Sequence, residues 1–215
     1  MKTYSNLLSA AVLALAIPAA NAALVTDPMD LGASLITEDF ETVFGGPDAV
    51  AVNADVTIRG VGFPPASLTI GDNGFWALGE NGAWSLGKTF AGNNAPIGGL
   101  LISFNGQTVD AVGGFFNYLR TPDGNPLQLL ALDVDGNPLE GHSVTIATDV
   151  DGYNEGAFYG IRRDTADIGW LMITAPYVAL DDLAYTAPVP EPTTYAMVFA
   201  GLALLTLARQ RSKRS

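Results

Sequence analysis

A chain of 215 residues with no cysteine, 22 acidic residues against 10 basic ones and a net charge of −12 has no disulfide framework, no thiol nucleophile and no thiolate metal ligands. Its negative field repels nucleic acid and anionic membrane, which leaves neutral glycans and divalent cations as better-matched ligands. The imbalance is steepest in the middle: Lys2 and four basic tail residues lie at the ends, so residues 23–187 carry five bases against 21 acids, a net of −16.

In chain order, residues 1–22 have the layout of a secretory signal. Lys2 is a sparse positive start, residues 7–17 form the apolar stretch, and Pro18 precedes Ala20-Asn21-Ala22, a small-residue cleavage site. Cleavage by the general secretion machinery is expected after Ala22. The apolar stretch is too short to span a bilayer comfortably as a permanent anchor.

Residues 23–187 are long enough for one domain with a sizeable core. Short strand-like runs are expected at 34–43, 49–60, 67–70, 82–90, 99–104, 108–119, 127–134, 143–148, 156–163, 168–173 and 178–185. Asp-Gly or Asn-Gly pairs at Asn73, Asn81, Asn105, Asp123, Asp135 and Asp151 supply the positive φ of tight turns. The run from Leu127 reads as buried on both sides. Asp-Gly-Asn-Pro occurs at Asp123–Pro126 and again at Asp135–Pro138, which places a turn at each end of that run and falls short of a repeat array. No capped 3.6-residue period interrupts the pattern. The expected architecture is all-β, a β-sandwich or jelly roll.

Candidate chemistry inside the domain is sparse. Asp133-Val134-Asp135-Gly136 and Asp149-Val150-Asp151-Gly152 open like calcium loops, but the closing acid of the twelve-residue register falls on Val144 and Gly160, so both read as turns. The single histidine, His142, reads as an exposed turn residue, and no G-x-S-x-G elbow accompanies it. Gly45-Gly46 and Gly98-Gly99 lack the following helix that a phosphate site requires. An enzyme is not expected. Trp76 and Trp84 flank the turn at 79–82; they read either as core residues or as exposed rings on which a sugar stacks.

The chain ends in three ordered parts. Val189-Pro190-Glu191-Pro192 is stiffened by two prolines into an accessible extended strip. An apolar, charge-free run of 14 residues follows at 195–208, about 21 Å as a helix against a hydrocarbon core of roughly 30 Å, hence a marginal span. Arg209, Arg211, Lys213 and Arg214 then hold that end on the cytoplasmic side and the domain outside.

These three parts resemble the PEP-CTERM sorting signal, also catalogued as the ice-binding protein C-terminal domain, of exported proteins in Gram-negative bacteria that make extracellular polysaccharide. The resemblance implies that an exosortase, a membrane cysteine protease, recognises the Pro-Glu-Pro strip, cleaves near it and passes the protein to the surface or the extracellular matrix. It covers residues 188–215. It does not imply ice binding, since no regular Thr-x-Thr array occurs.

Glu38-Asp39-Phe40-Glu41, Gly113-Gly114-Phe115-Phe116 and Leu180-Asp181-Asp182-Leu183 resemble motifs of the β-sandwich domains joined to such signals. In jelly rolls of the carbohydrate-binding type the first and last strands lie side by side, which would bring Asp39, Glu41, Asp181 and Asp182 together. Two readings stay open: a structural Ca²⁺ that relieves their repulsion, as in a calcium-assisted carbohydrate-binding module on extracellular polysaccharide, or solvated edge charges that discourage aggregation. Phe40, Leu180 and Leu183 are the expected buried partners.

Overall fold

Turn chemistry divides the chain into strands. Asp133 accepts the backbone N–H of Asn137 at 2.8 Å and its side-chain amide at 2.8 Å, while Gly136 N–H reaches the Asp133 carbonyl at 3.1 Å. Asp149 likewise accepts from the N–H of Asp151 at 3.1 Å, with Gly152 N–H on its carbonyl. Both calcium-like openings therefore spend their first carboxylate on closing a turn.

The structure, a computed structural model, describes residues 22–63, 68–72, 74–84 and 87–190. The first half runs β1 (Ala22–Val25), the short helix α1 (Pro28–Leu31), β2 (Leu35–Glu38), β3 (Val50–Ala51), β4 (Thr57–Phe63), β5 (Leu68–Asp72), β6 (Ala83–Trp84), β7 (Thr89–Asn93) and β8 (Ile97–Ser103). The second half runs β9 (Gln107–Thr108), β10 (Ala111–Asn117), β11 (Leu127–Leu132), β12 (Pro138–Val144), β13 (Tyr153–Asn154), β14 (Ala157–Arg163), β15 (Trp170–Thr174), β16 (Ala179–Thr186) and β17 (Val189–Pro190). Ala20, Glu191, Pro192, Arg209, Arg211 and the run at 195–208 lie outside the described residues. Among those described, no helix is long and apolar enough to cross a membrane.

Two antiparallel sheets dominate. One has the order β1-β14-β10-β16-β7-β5, with β2 also on β16; the other has the order β12-β11-β15-β8-β4-β3. Ile70, Val112, Phe116, Ile161, Leu180 and Tyr185 of the first share one hydrophobic cluster with Ile58, Leu100, Ile102, Leu129, Leu171 and Ile173 of the second. Two sheets that bury their facing sides against each other form the layers of a sandwich.

Several expectations need correction, among them the strands at 82–90, where β6 ends at Trp84 and β7 starts at Thr89, and at 143–148, where β12 ends at Val144. Residues 49–60 are not one strand: β3 and β4 pair as a hairpin, because Asn53 caps the turn by accepting the N–H groups of Asp55 and Val56, each at 2.9 Å. β11 is not buried on both sides: Leu127, Leu129 and Ala131 enter the core, Gln128 is exposed, and Leu130 and Leu132 are half-buried. His142 lies in β12 opposite Leu129 instead of in a turn.

The first sheet also has a partly covered outer face. Asp27 caps α1 by accepting the N–H of Met29 at 2.8 Å, and Pro28 occupies its first turn. This helix seats Leu31 with Val25, Ala111, Phe158 and Ala184. Further along, segment 74–84 folds over β7 and β16, where Leu78 and Trp84 cover Phe90 and Ala179.

Candidate functional site

The strand expected to come first is the second, since β1 precedes it and pairs with β14, but β2 does lie beside β16: the two pair antiparallel, with Glu38 opposite Leu183. β16 changes neighbours along this edge, from β7 at Ala179 and Leu180 to β2 from Leu183 onward. On its other edge the register against β10 slips between Gly113 and Phe115, and Asp182 takes a left-handed φ of 46°. The extra residue lets both Leu180 and Leu183 face the core, which strict alternation forbids. Gly114 accommodates the close approach, since a Cβ there would sit 2.5 Å from Leu180 Cδ1. Phe40, itself at φ 59°, is fully buried beside them.

This bulge collects carboxyl groups. Asp181 is only 6% exposed; burial foremost, with the charges of Asp182 and Glu155 adding to it, pushes its pKa up to about 7, against the pull of the Asp182 N–H and Lys88. The Asp182 pKa is raised as well, by burial first and then by Glu155 and Asp39. Glu155, ion-paired to Lys88 at 3.6 Å, joins from the β13–β14 connection, and no local signal in the sequence points to it. Glu41 is exposed just beyond the Asx turn in which Asp39 accepts its N–H at 3.1 Å. Among the described residues, no three acidic or histidine side chains converge as a ready metal site.

The two tryptophans separate. Trp84 is fully buried and packs on Phe90 with centroids 5.2 Å apart. It is a core residue, which excludes it as a stacking platform, because the outer face of the first sheet needs an apolar cover there. Trp76 is half-buried at the margin of that cover. It meets Phe90 edge to face at 5.3 Å and donates its indole N–H to the Tyr177 carbonyl at 3.0 Å. Phe75, Trp76, Ala77, Asn94, Leu119 and Tyr177 line a groove of about 380 Å³. Tyr177, which the sequence reading passes over, sits at φ 48°.

Elsewhere the chemistry is weaker. His142 Nε2 lies 3.0 Å from Glu140 Oε1, too poorly aligned for a hydrogen bond, on an edge strand. On the outer face of the second sheet the Arg59 guanidinium sits 5.8 Å over the Trp170 ring, beside Leu101 and Leu132.

The carboxy-terminal strip starts on the domain itself. Val189 and Pro190 form β17, which pairs antiparallel with Thr108 and Gln107 of β9, and Thr108 Oγ1 donates to the Val189 carbonyl at 3.2 Å. From this point onward, residues 188–213 match the family model of the PEP-CTERM protein-sorting motif. The chain carries a PEP-CTERM sorting signal. Val189 and Pro190 of the PEP-CTERM signal are thus strand residues of the domain's edge, separated from β16 by two residues. At the other terminus β1 starts at Ala22, opposite Arg163, so cleavage after Ala22 leaves the pairs from Ala23 onward in place.

No curated protein matches the chain. Among solved structures, it is similar to a DUF4465 family protein from Bacteroides caccae at 9% identity and a TM-score of 0.23, over 75% of this chain and 99% of that one. A likeness that slight bears on neither fold nor function.

Proposed function

We propose that this chain is exported by the general secretion machinery, held transiently in the inner membrane by residues 195–208 and processed by an exosortase-type protease. Its destination is the cell surface or extracellular matrix. There residues 23–187 act as a non-catalytic β-sandwich of jelly-roll type. The observation that carries the reading is the sorting motif at 188–213, joined directly to a two-sheet domain. Replacing Pro190, Glu191 and Pro192 together by alanine should trap the chain, uncleaved at its carboxy terminus, in the membrane fraction, while the wild type reaches the surface or medium shortened. A wild-type chain that keeps Ser215 in cells with active processing, or that stays in the cytosol with Met1 attached, sinks the reading.

The acidic bulge motivates a second reading, a calcium ion among Asp39, Asp181 and Asp182 that relieves their mutual repulsion and ties the chain ends together. Because these groups do not converge as they stand, binding would draw them inward. Thermal melts at pH 8 with millimolar calcium and with chelator decide it: a higher transition with calcium is the expected result, and coincident transitions remove the ion.

A further inference from the structure

We propose that the groove between Phe75–Ala77 and Tyr177 binds an uncharged pyranose ring of a polysaccharide, stacked against Trp76 and Tyr177. Only the source of the ligand, an extracellular glycan, is taken from the delivery reading; the site is argued from its own geometry.

The platform is rigid. A Cβ on Gly92 would come within 3.0 Å of Trp76 Cη2 and of Phe90 Cε2, so the absence of a side chain at 92 lets the indole lie down on the sheet. With Phe90 against it and its N–H on the Tyr177 carbonyl, the ring is fixed before any ligand arrives, which lowers the ordering cost of binding.

Tyr177 is held in place at a cost. A non-glycine residue at φ 48° stores about 1–3 kcal/mol of strain and persists only where its surroundings over-determine it. They do so here. Tyr177 N–H bonds the Ala95 carbonyl at 2.9 Å, Asn93 N–H bonds Val178 at 2.9 Å and Leu119 N–H bonds Pro176 at 3.0 Å. The consequence is a second aromatic residue held in the lining of the groove beside Trp76.

The lining selects the ligand. In a domain with a net charge of −16, none of the six lining residues is charged. Phe75 is 65% exposed, an apolar ring presented to water at the groove. Asn94, also exposed, supplies both a carboxamide donor and an acceptor. Aromatic surface for the C–H face of a sugar, one amide for its hydroxyls and no counter-charge match a neutral pyranose better than an anion or a peptide terminus. A volume of about 380 Å³ is within the range of small-molecule sites, roughly 300–1,000 Å³.

The test is native electrophoresis of the purified full chain through gels cast with a soluble β-glucan, a galactomannan or anionic polygalacturonate. At least one neutral polymer should retard the wild type, with an accompanying change in tryptophan fluorescence. Phe75→Ala and Tyr177→Gly should each weaken that retardation at least tenfold. Glycine accepts the φ of position 177, so Tyr177→Gly should melt no lower than wild type, and a loss of binding there is not unfolding. The proposal is overturned if neither neutral polymer retards the wild type, if polygalacturonate alone does, or if both variants migrate like wild type. None of these outcomes depends on the route of export.

Discussion

Replacing Asp181 by asparagine should raise the melting temperature at pH 8 and change it little at pH 4. The carboxyl is almost fully buried at the β16 bulge, and its pKa is pushed up from 3.8 to about 7. A folded-state pKa above the unfolded value means that folding favours the protonated acid. The stabilising contribution is complete below about pH 4 and is lost as pH rises through about 7. At pH 8 the wild type therefore carries an ionised, poorly solvated carboxylate facing Asp182 and Glu155. Asparagine keeps the oxygen that accepts the Asp182 N–H at 2.8 Å and removes the charge. At about 1.36 kcal/mol per unit of pKa shift, the gain is on the order of 2–4 kcal/mol. For a domain of this size that is roughly 5–10 °C. Melting curves from pH 4 to pH 8 check it: the two proteins should converge at the acid end, separate progressively between about pH 4 and about pH 7 and run parallel above that, and profiles parallel over the whole range would contradict the burial argument.

Trp84→Ala should cost about 3–5 kcal/mol, as large-to-small replacements of buried aromatics do, whereas Phe75→Ala, nine positions earlier, should stay within about 0.5 kcal/mol. Trp84 has no exposed surface and fills the space over Phe90 and Ala179 with Leu78; truncation leaves a cavity that the segment, tied by Trp84 N–H to the Trp76 carbonyl at 3.0 Å, cannot close. Trp84→Phe should be much milder. Its indole N–H has no partner among the described residues, so phenylalanine loses volume but no hydrogen bond. Urea unfolding at constant slope would separate the three variants, and equal midpoints for Trp84→Ala and Phe75→Ala would mean that Trp84 does not plug the sheet.

The contrast between these tryptophans shows how far a sequence can be read. Trp76 and Trp84 stand on either side of one turn, and nothing local distinguishes them. Their fates are set by the outer face of the first sheet, which the neighbouring β7 builds only together with β16, far away in the chain. Glu155 is similar: its role beside Asp181 and Asp182 follows from where β13 and β14 bring the chain, so the sequence reading chose Glu41, the nearer acid, instead. Tyr177 shows itself only through its φ. The pairing of β2 with β16 was legible because the acidic and apolar residues of both stretches sit near the two ends of the domain; that β1 precedes β2 and pairs with β14 was not. The partner switch at Asp182 was not, because a bulge is a compromise between two neighbours.

What the amino-acid order determined unaided are the features that act over a few residues. Asp-Gly and Asn-Gly pairs marked turns, apolar alternation marked most of the strands, and the proline-bracketed strip marked the sorting motif, since each is carried by residues adjacent in the chain. The tertiary structure alone decided which aromatic ring is buried, which carboxyl is driven toward neutrality and where an uncharged groove opens. Those outcomes depend on desolvation, and desolvation is a property of everything packed around a group.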